Sequence, residues 1–455
     1  MRDFSLHELL DERAGEGLAL YERHANPRFV EILRILGFDR HWVRAEGPYL
    51  FDRSGTRYLD WLGGFGLYSV GRNNPTVRAA LAELLELETA SLPQLGLTDL
   101  PGLLAEALLA VAPASTDRVV FVNTGTEAVE AALKLGRAAA GRSRVVAVEN
   151  GFHGLTLGSL SVNGGASERA RYAPLLPGVS FVPFNDLEAL EAELAREDVA
   201  LFITEPVQGQ GVILPQPGYL RGAQQLCRRY GTLFCLDEVQ TGLGRTGRMF
   251  ACEHWGLEPD LVTVAKALSG GYVPVGALLL RRSVHEAVFD TLEHATSHGS
   301  TFAPNDAAMV AGLATLHELA ARDLPGRAAR LGEYLLERTQ PLRERFDVVK
   351  DVRGLGLAWA IEFGEPDGGS RTWRFIDGRQ PALFSQFVIG PLFREHHILS
   401  QVAGHRINVL KGLPPLVLDE SDVDWFAEAL EDVLAKAKRL SRAALGFAAR
   451  AAFRV

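Results

Sequence analysis

Residues 232–238 and 260–266 read "TLFCLDE" and "DLVTVAK", two apolar runs that end on charge: Asp237 with Glu238 in the first, Lys266 in the second. Apolar runs without polar alternation are strands buried on both faces, as in a parallel sheet covered by helices. The same texture extends outward from them. "RVVFVNTG" precedes the helix-like "TEAVEAALKLGRAAA"; then come "RVVAVEN", "VSFVPF" before "DLEALEAELARE", and "ALFITEP" before "GYLRGAQQLCRRY". This alternation predicts an α/β fold whose large domain covers residues 75–325. The flanks differ in texture. "YLFDRSGTRYLD" predicts two short strands around a Ser-Gly turn, and "NPRFVEILRILG" predicts an amphipathic helix. Beyond residue 325, "VVKDVRGLGLAWAIEF" and a last helix expected to start at Ser421, with Asp424 as its capping partner, predict a smaller α+β domain over 326–455. The segment 1–74 is expected to complete that smaller domain.

Composition excludes several functions. The formal charge of −9 over 455 residues, without a basic run, argues against nucleic acid and anionic membrane surfaces as partners. No apolar stretch is long enough to span a membrane, and the first residues lack the apolar core of a secretory signal. The cysteines, Cys227, Cys235 and Cys252, are odd in number and form no CxxC, so neither a disulfide framework nor a cysteine-rich metal site is predicted. No metal is expected, and a cytoplasmic location is.

In open α/β sheets ligands bind outside the carboxyl ends of the strands, which directs attention to the polar residues ending the apolar runs. In "VNTGTEAVEAALK", Gly125 and Thr126 open a helix; its free N–H groups suit a phosphate, although Thr and Gly also start helices with no ligand. In "ENGFHG", Phe152 can stack on a planar ligand or simply fill the core, with His153 bonded locally. Glu205 ends "LFITEP", where a carboxylate must face a partner or a site. Asp237 and Glu238, adjacent on a strand, point to opposite faces and so do not form an acid/base dyad. Lys266 is either a snorkelling or paired lysine, or an amine whose charge is disfavoured and whose neutral form is a nucleophile for Schiff-base chemistry. Taken together, a phosphate anchor, a stacking aromatic, a strand-end aspartate and an apolar lysine fit one cofactor, pyridoxal 5′-phosphate.

The motifs "NTGTEAVEAALKLGR", "FHGLTLGSLS", "EPVQGQG", "LDEVQTGLGRTGRMFACEHWGLEPDLVTVAKALSGG" and "HGSTFAPNDAA" follow one another as in class III aminotransferases, and the chain resembles that family over roughly residues 45–440. Through "WLGGFGLYSVG" and "MFACEH" it looks most like the putrescine aminotransferase branch. The resemblance implies the fold type I architecture of pyridoxal-phosphate enzymes. It also implies a Schiff base on Lys266, Asp237 against the pyridine nitrogen, Phe152 and Val239 on the two faces of the ring, and Gln240 near its phenolic oxygen. Gly125 and Thr126 would hold the phosphate, joined by Thr301 from a second subunit, so a homodimer is implied, with residues 1–74 contributing to its contacts. His153 follows the stacking aromatic as in the family. Two half-reactions in ping-pong order are implied, with Lys266, once freed, as the general base.

One position departs from the pattern. Many class III members carry an arginine three residues before "PPL", where it grips a carboxylate; here "RINVLKGLPPL" puts Lys411 there. A lysine is a point charge and cannot form the two-pronged pair. Either Lys411 or Arg406 still receives a carboxylate, with Glu205 able to neutralise that cation, or the substrate has none at the reacting end. Trp61, Phe65 and Tyr68 in the aromatic loop either wall an apolar pocket or pack in the core. The reading favoured is a transaminase for a terminal amine or aldehyde. An ornithine or ω-amino acid transaminase, or an aminomutase using the same lysine and aspartate, is the alternative.

Overall fold

The computed structural model describes residues 4–367, 369, 373–374, 383–404 and 407–439, and their strands fall into three sheets. Near the N-terminus, β1 (Trp42–Glu46), β2 (Tyr49–Asp52) and β3 (Arg57–Asp60) form an antiparallel meander. The central sheet holds β4 (Arg118–Val122), β5 (Arg144–Val148), β6 (Val179–Val182), β7 (Val199–Thr204), β8 (Leu233–Asp237), β9 (Leu261–Val264) and β10 (Gly276–Leu280), ordered β4-β10-β9-β8-β7-β5-β6. Pairing is parallel from β6 through β9, and β10 runs antiparallel to both β9 and β4. C-terminal to it lie β11 (Val349–Leu355), β12 (Ala358–Phe363), β13 (Ile398–Leu399), β14 (Gln401–Val402) and β15 (Val409–Gly412). Four of these make an antiparallel sheet, β11-β12-β15-β14, while β13 adds in parallel to β3 and so closes the N-terminal meander with the C-terminal part of the chain.

Burial explains the central sheet. Every residue of β7 and of β10 is buried, so alternation has no role there and Val, Leu, Ile and Phe cover both faces. The run "GALLL" of β10 carries no period and is too short to separate from a helix turn by sequence, which is why the strand was not anticipated. Against the sheet packs helix Gly125–Ala140, whose buried face runs Ala128, Val129, Ala131, Ala132, Leu133, Leu135. It is capped by Thr124, whose hydroxyl accepts from Glu127 N, and stopped at Gly141 in the left-handed region, φ 60°.

Two peripheral expectations need correction. The last helix runs Glu420–Arg439, not from Ser421. Asp419 and Asp422 form the reciprocal cap, each carboxylate accepting the other's backbone N–H at 3.1 Å. Asp424 instead accepts from Tyr334 OH (2.8 Å) and Arg338 Nε (2.7 Å), so it is spent on holding the neighbouring helix. Trp61 is not a pocket wall: it is fully buried and stacked on Phe426 with ring centroids 3.8 Å apart. A Cβ on Gly412 would lie 2.2 Å from Trp61 Nε1, so glycine there lets β15 close onto the indole. The amphipathic helix forms at Pro27–Leu36, capped by Asn26, and buries Val30 while Phe29 and Ile32 stay exposed on this chain. Among the described residues no helix is long and apolar enough to cross a membrane.

Candidate active site

Because β5, β7, β8 and β9 run in parallel, their carboxyl ends deliver polar residues to one edge of the sheet. Asp237, the last residue of β8, is buried there and fully engaged. Its Oδ1 accepts from Val239 N (3.0 Å) and Thr263 Oγ1 (2.9 Å), and its Oδ2 lies 2.7 Å from His153 Nδ1. Burial works against a charge on His153, but the bond to Asp237 and the fields of Asp237 and Glu205 outweigh it and hold its pKa above the ordinary value. The other ring nitrogen, Nε2, is buried without a partner among the described residues. Glu238 points the opposite way, as adjacent strand residues must. It accepts from Ala251 N and Cys252 N, both at 2.8 Å, and from Thr241 Oγ1 at 2.9 Å, stapling the turn that follows, and burial pushes its pKa up to about 7.

Lys266 follows β9 by two residues in a left-handed backbone conformation, φ 44°, that a non-glycine residue rarely adopts and that marks functional sites. Among the described residues no carboxylate forms an ion pair with it. Burial lowers its pKa against the opposing fields of Asp237 and Glu205, with Arg245 adding to the lowering, so the neutral amine is favoured relative to a solvated lysine.

The helix start sits beside these groups. A Cβ on Gly125 would lie 2.8 Å from Val239 Cγ1 and 3.5 Å from Ala265 Cβ, so only a glycine brings the first helical N–H groups this close to the residues flanking Asp237 and Lys266. Thr126 Oγ1 bonds to Thr156 Oγ1 (2.7 Å) and Ser159 Oγ (2.5 Å), and Gly154, at φ 135°, leaves room for that hydroxyl. Phe152 is partly exposed, and its N–H donates to Glu205 Oε2 at 3.0 Å.

Glu205, Gln240, Lys411 and Phe65 meet around Gly209. Glu205 Oε1 accepts Gly209 N–H (2.8 Å), Lys411 Nζ donates to Gly209 O (2.7 Å), and a Cβ on Gly209 would lie 2.7 Å from Gln240 Oε1. Gln240 Nε2 reaches Phe65 O at 3.4 Å, and the Phe65 side chain stands exposed at φ 61°. Lys411 is 6% exposed; burial and the nearby Lys266 push its pKa down to about 8 against the field of Glu205. Among the described residues no ion pair joins Lys411 to Glu205; the two bond instead to the backbone C=O and N–H of Gly209. The Tyr68 ring lies under Arg72, whose guanidinium is 3.8 Å from its centroid. Thr301 is exposed on this chain, next to Ser300, whose hydroxyl accepts from Asn123 Nδ2 at 2.7 Å. Arg406 lies outside the described residues.

Four contributors escaped the sequence reading. Thr263 and Asn163 hold Asp237 and the His153 backbone, Gly209 joins Glu205 to Lys411, and Arg245 lies buried close by. Thr263 could have been found as the polar residue inside "DLVTV"; the partners of the others are supplied by distant segments.

A parallel sheet with an aspartate and a lysine at adjacent strand ends defines the class, and the model for "Aminotransferase class-III" matches residues 38–434: the chain belongs to that family. Its relatives include the putrescine aminotransferase of Pectobacterium atrosepticum, 42% identical with 78% of each chain covered. Aminotransferase PigE of a Serratia strain is 35% identical over 93% of this chain, which spans only 54% of that longer protein. Among solved structures, the ornithine aminotransferase of Toxoplasma gondii superposes with a TM-score of 0.84 at 28% identity, covering 97% of this chain and 100% of the other. A PLP-bound amine transaminase from an uncultivated Pseudomonas species gives 0.78 at 32% identity, over 87% and 95%. The fold is therefore fold type I, and the family's cofactor is pyridoxal 5′-phosphate.

The residues present fit that group. They offer an amine without a carboxylate partner among the described residues, a buried carboxylate backed by an imidazole, and helix N–H groups brought close by a glycine whose place a side chain would obstruct.

Proposed function

We propose that the protein is a transaminase that takes the amino group of a terminal primary amine, a diamine or a long aliphatic amine, and passes it to a 2-oxo acid or another carbonyl acceptor. It works as a homodimer through two alternating half-reactions. Lys266 would hold the cofactor covalently, Asp237 its pyridine nitrogen, Phe152 and Val239 its faces, Gln240 its phenolic oxygen, and Gly125 and Thr126 its phosphate, with Thr301 supplied by the second subunit. Bound there, the cofactor supplies an electrophilic carbonyl carbon and an electron sink.

The chain's own groups do the rest. Lys266, its basicity depressed first by burial, takes and returns a proton at Nζ more readily than a solvated lysine, as a general base should. Asp237 places its carboxyl group at the buried end of the site, and His153, tied to its Oδ2, holds it in one orientation. The dimer reading is supported by large apolar side chains left open on one chain, among them Leu155, close in sequence to Phe152, and Phe302, next to Thr301.

Lys411 carries the substrate reading. It stands where many family members have a carboxylate-binding arginine, yet it is buried, lacks the fork, and spends its ammonium on Gly209 O. Glu205, whose pKa burial raises, accepts only backbone N–H groups among the described residues, and a second ammonium from a diamine would supply the cation that its buried charge needs. A screen of putrescine, long-chain amines, ornithine and β-alanine against pyruvate and 2-oxoglutarate tests this. We expect kcat/KM for putrescine or an aliphatic amine to exceed that for ornithine and β-alanine by at least about tenfold. K411R should narrow that gap by restoring a two-pronged carboxylate contact. Preference for ornithine or β-alanine in the unmodified enzyme would overturn the substrate reading, and an isomer formed without net transfer would point to an aminomutase.

A further inference from the structure

Arg245 lies in "GLGRTG" between β8 and β9, is 1% exposed, and is among the largest fully buried side chains of the molecule. Buried charges are ordinarily paired, but no ion pair among the described residues includes it. Nη1 donates to Pro414 O (2.5 Å) and Leu357 O (3.1 Å), Leu357 N donates back to Arg245 O (3.0 Å), and Nε and Nη2 have no partner among the described residues. Its surroundings are those of the site. A Cβ on Gly66 would be 4.0 Å from Arg245 Nε and 3.9 Å from both Gln240 Cγ and Leu413 Cδ1. Three segments distant in sequence thus converge on one guanidinium: the Phe65–Gly66 turn, the turn between β11 and β12, and Pro414, three residues after Lys411.

We propose that Arg245 is a positioning residue of this site: its Nη1 ties the end of the Lys411 strand, at Pro414, to the turn between β11 and β12, and its guanidinium packs against the Phe65–Gly66 turn. If the residue only filled space, a side chain without charge would serve as well or better in a pocket that offers no counter-ion. The charged groups that act on Lys266 are Asp237 from β8 and Glu205 from the end of β7, which favour its protonation, and Arg245, which opposes it; Lys411 of β15 lies close enough to feel Lys266 in turn. Removing Arg245 leaves the two carboxylates opposed by less positive charge, so the Lys266 nitrogen should hold its proton to higher pH.

The inference rests on Lys266 as the cofactor-bearing lysine and is tested on the cofactor-loaded full chain. The pH midpoint of its visible absorbance, which reports protonation of the Lys266 nitrogen, should rise by about one unit in R245Q and stay within about 0.3 unit of the unmodified protein in R245K. In both variants KM for the best donor of the screen should rise at least about fivefold, because glutamine and lysine are both shorter than arginine and do not reach the two carbonyls that Nη1 holds. A folded, loaded R245Q with unchanged midpoint and KM overturns the proposal; where R245Q does not fold, an unchanged KM in R245K does so. A visible band that persists unchanged in K266A would instead count against the lysine assignment, so the two readings fail separately.

Discussion

K266A is expected to lose at least about four orders of magnitude in kcat, since covalent attachment of the cofactor and the general base go with one amine. The visible band of the cofactor linked to lysine should disappear with it. Folding should not suffer: Nζ forms no ion pair among the described residues, and alanine, which keeps the Cβ, leaves the strain of the backbone at φ 44° as it is. Thermal unfolding measured beside activity therefore separates the two effects. A K266A protein turning over at the unmodified rate, or one that has lost its fold along with its activity, would contradict the role given to this lysine.

D237N should cost about two to three orders of magnitude in kcat, the usual scale for removing a preorganised charge from a water-excluded site. The substitution keeps the shape of the side chain. It removes the charge facing the pyridine nitrogen and replaces one acceptor oxygen by an NH2 group: with the amide oxygen kept toward Val239 N and Thr263 Oγ1, the NH2 faces His153, whose Nδ1 must then accept instead of donate. The sign of a second effect follows from the fields at Lys266. Asp237 favours the protonated lysine, so its loss should lower the midpoint of the visible titration, opposite to the shift expected for R245Q. A D237N midpoint that rises would contradict the arrangement of charges described above.

Much of this was legible in the sequence, for reasons that differ by residue. The strands ending at Asp237 and before Lys266 were readable because a strand buried on both faces must be continuously apolar, and a charge at its end is then conspicuous. The opposite orientation of Glu238 followed from the two-residue period of a strand, and the structure gives it a structural task in capping Ala251 and Cys252. Trp61 and Phe65 could not be told apart by sequence, because an aromatic in a glycine-rich loop is equally suited to the core and to a pocket. Only the stacking partner Phe426, from the last helix, decides the first. Arg245 and Lys411 show a second limit. Their partners are backbone carbonyls of Leu357, Pro414 and Gly209, and carbonyls carry no residue-type signature.

Two lysines of depressed basicity, Lys266 and Lys411, share the pocket, and the account gives the cofactor to one of them. Lys411 is committed to Gly209 O, whereas Lys266 follows Ala265, which lies against Gly125 at the start of the helix proposed to hold the phosphate. Reduction of the cofactor-loaded protein with borohydride, followed by digestion and mass spectrometry, fixes the attachment point. The phosphopyridoxyl group should be found on the peptide containing Lys266; finding it on Lys411, or on no lysine at all, would contradict the central claim.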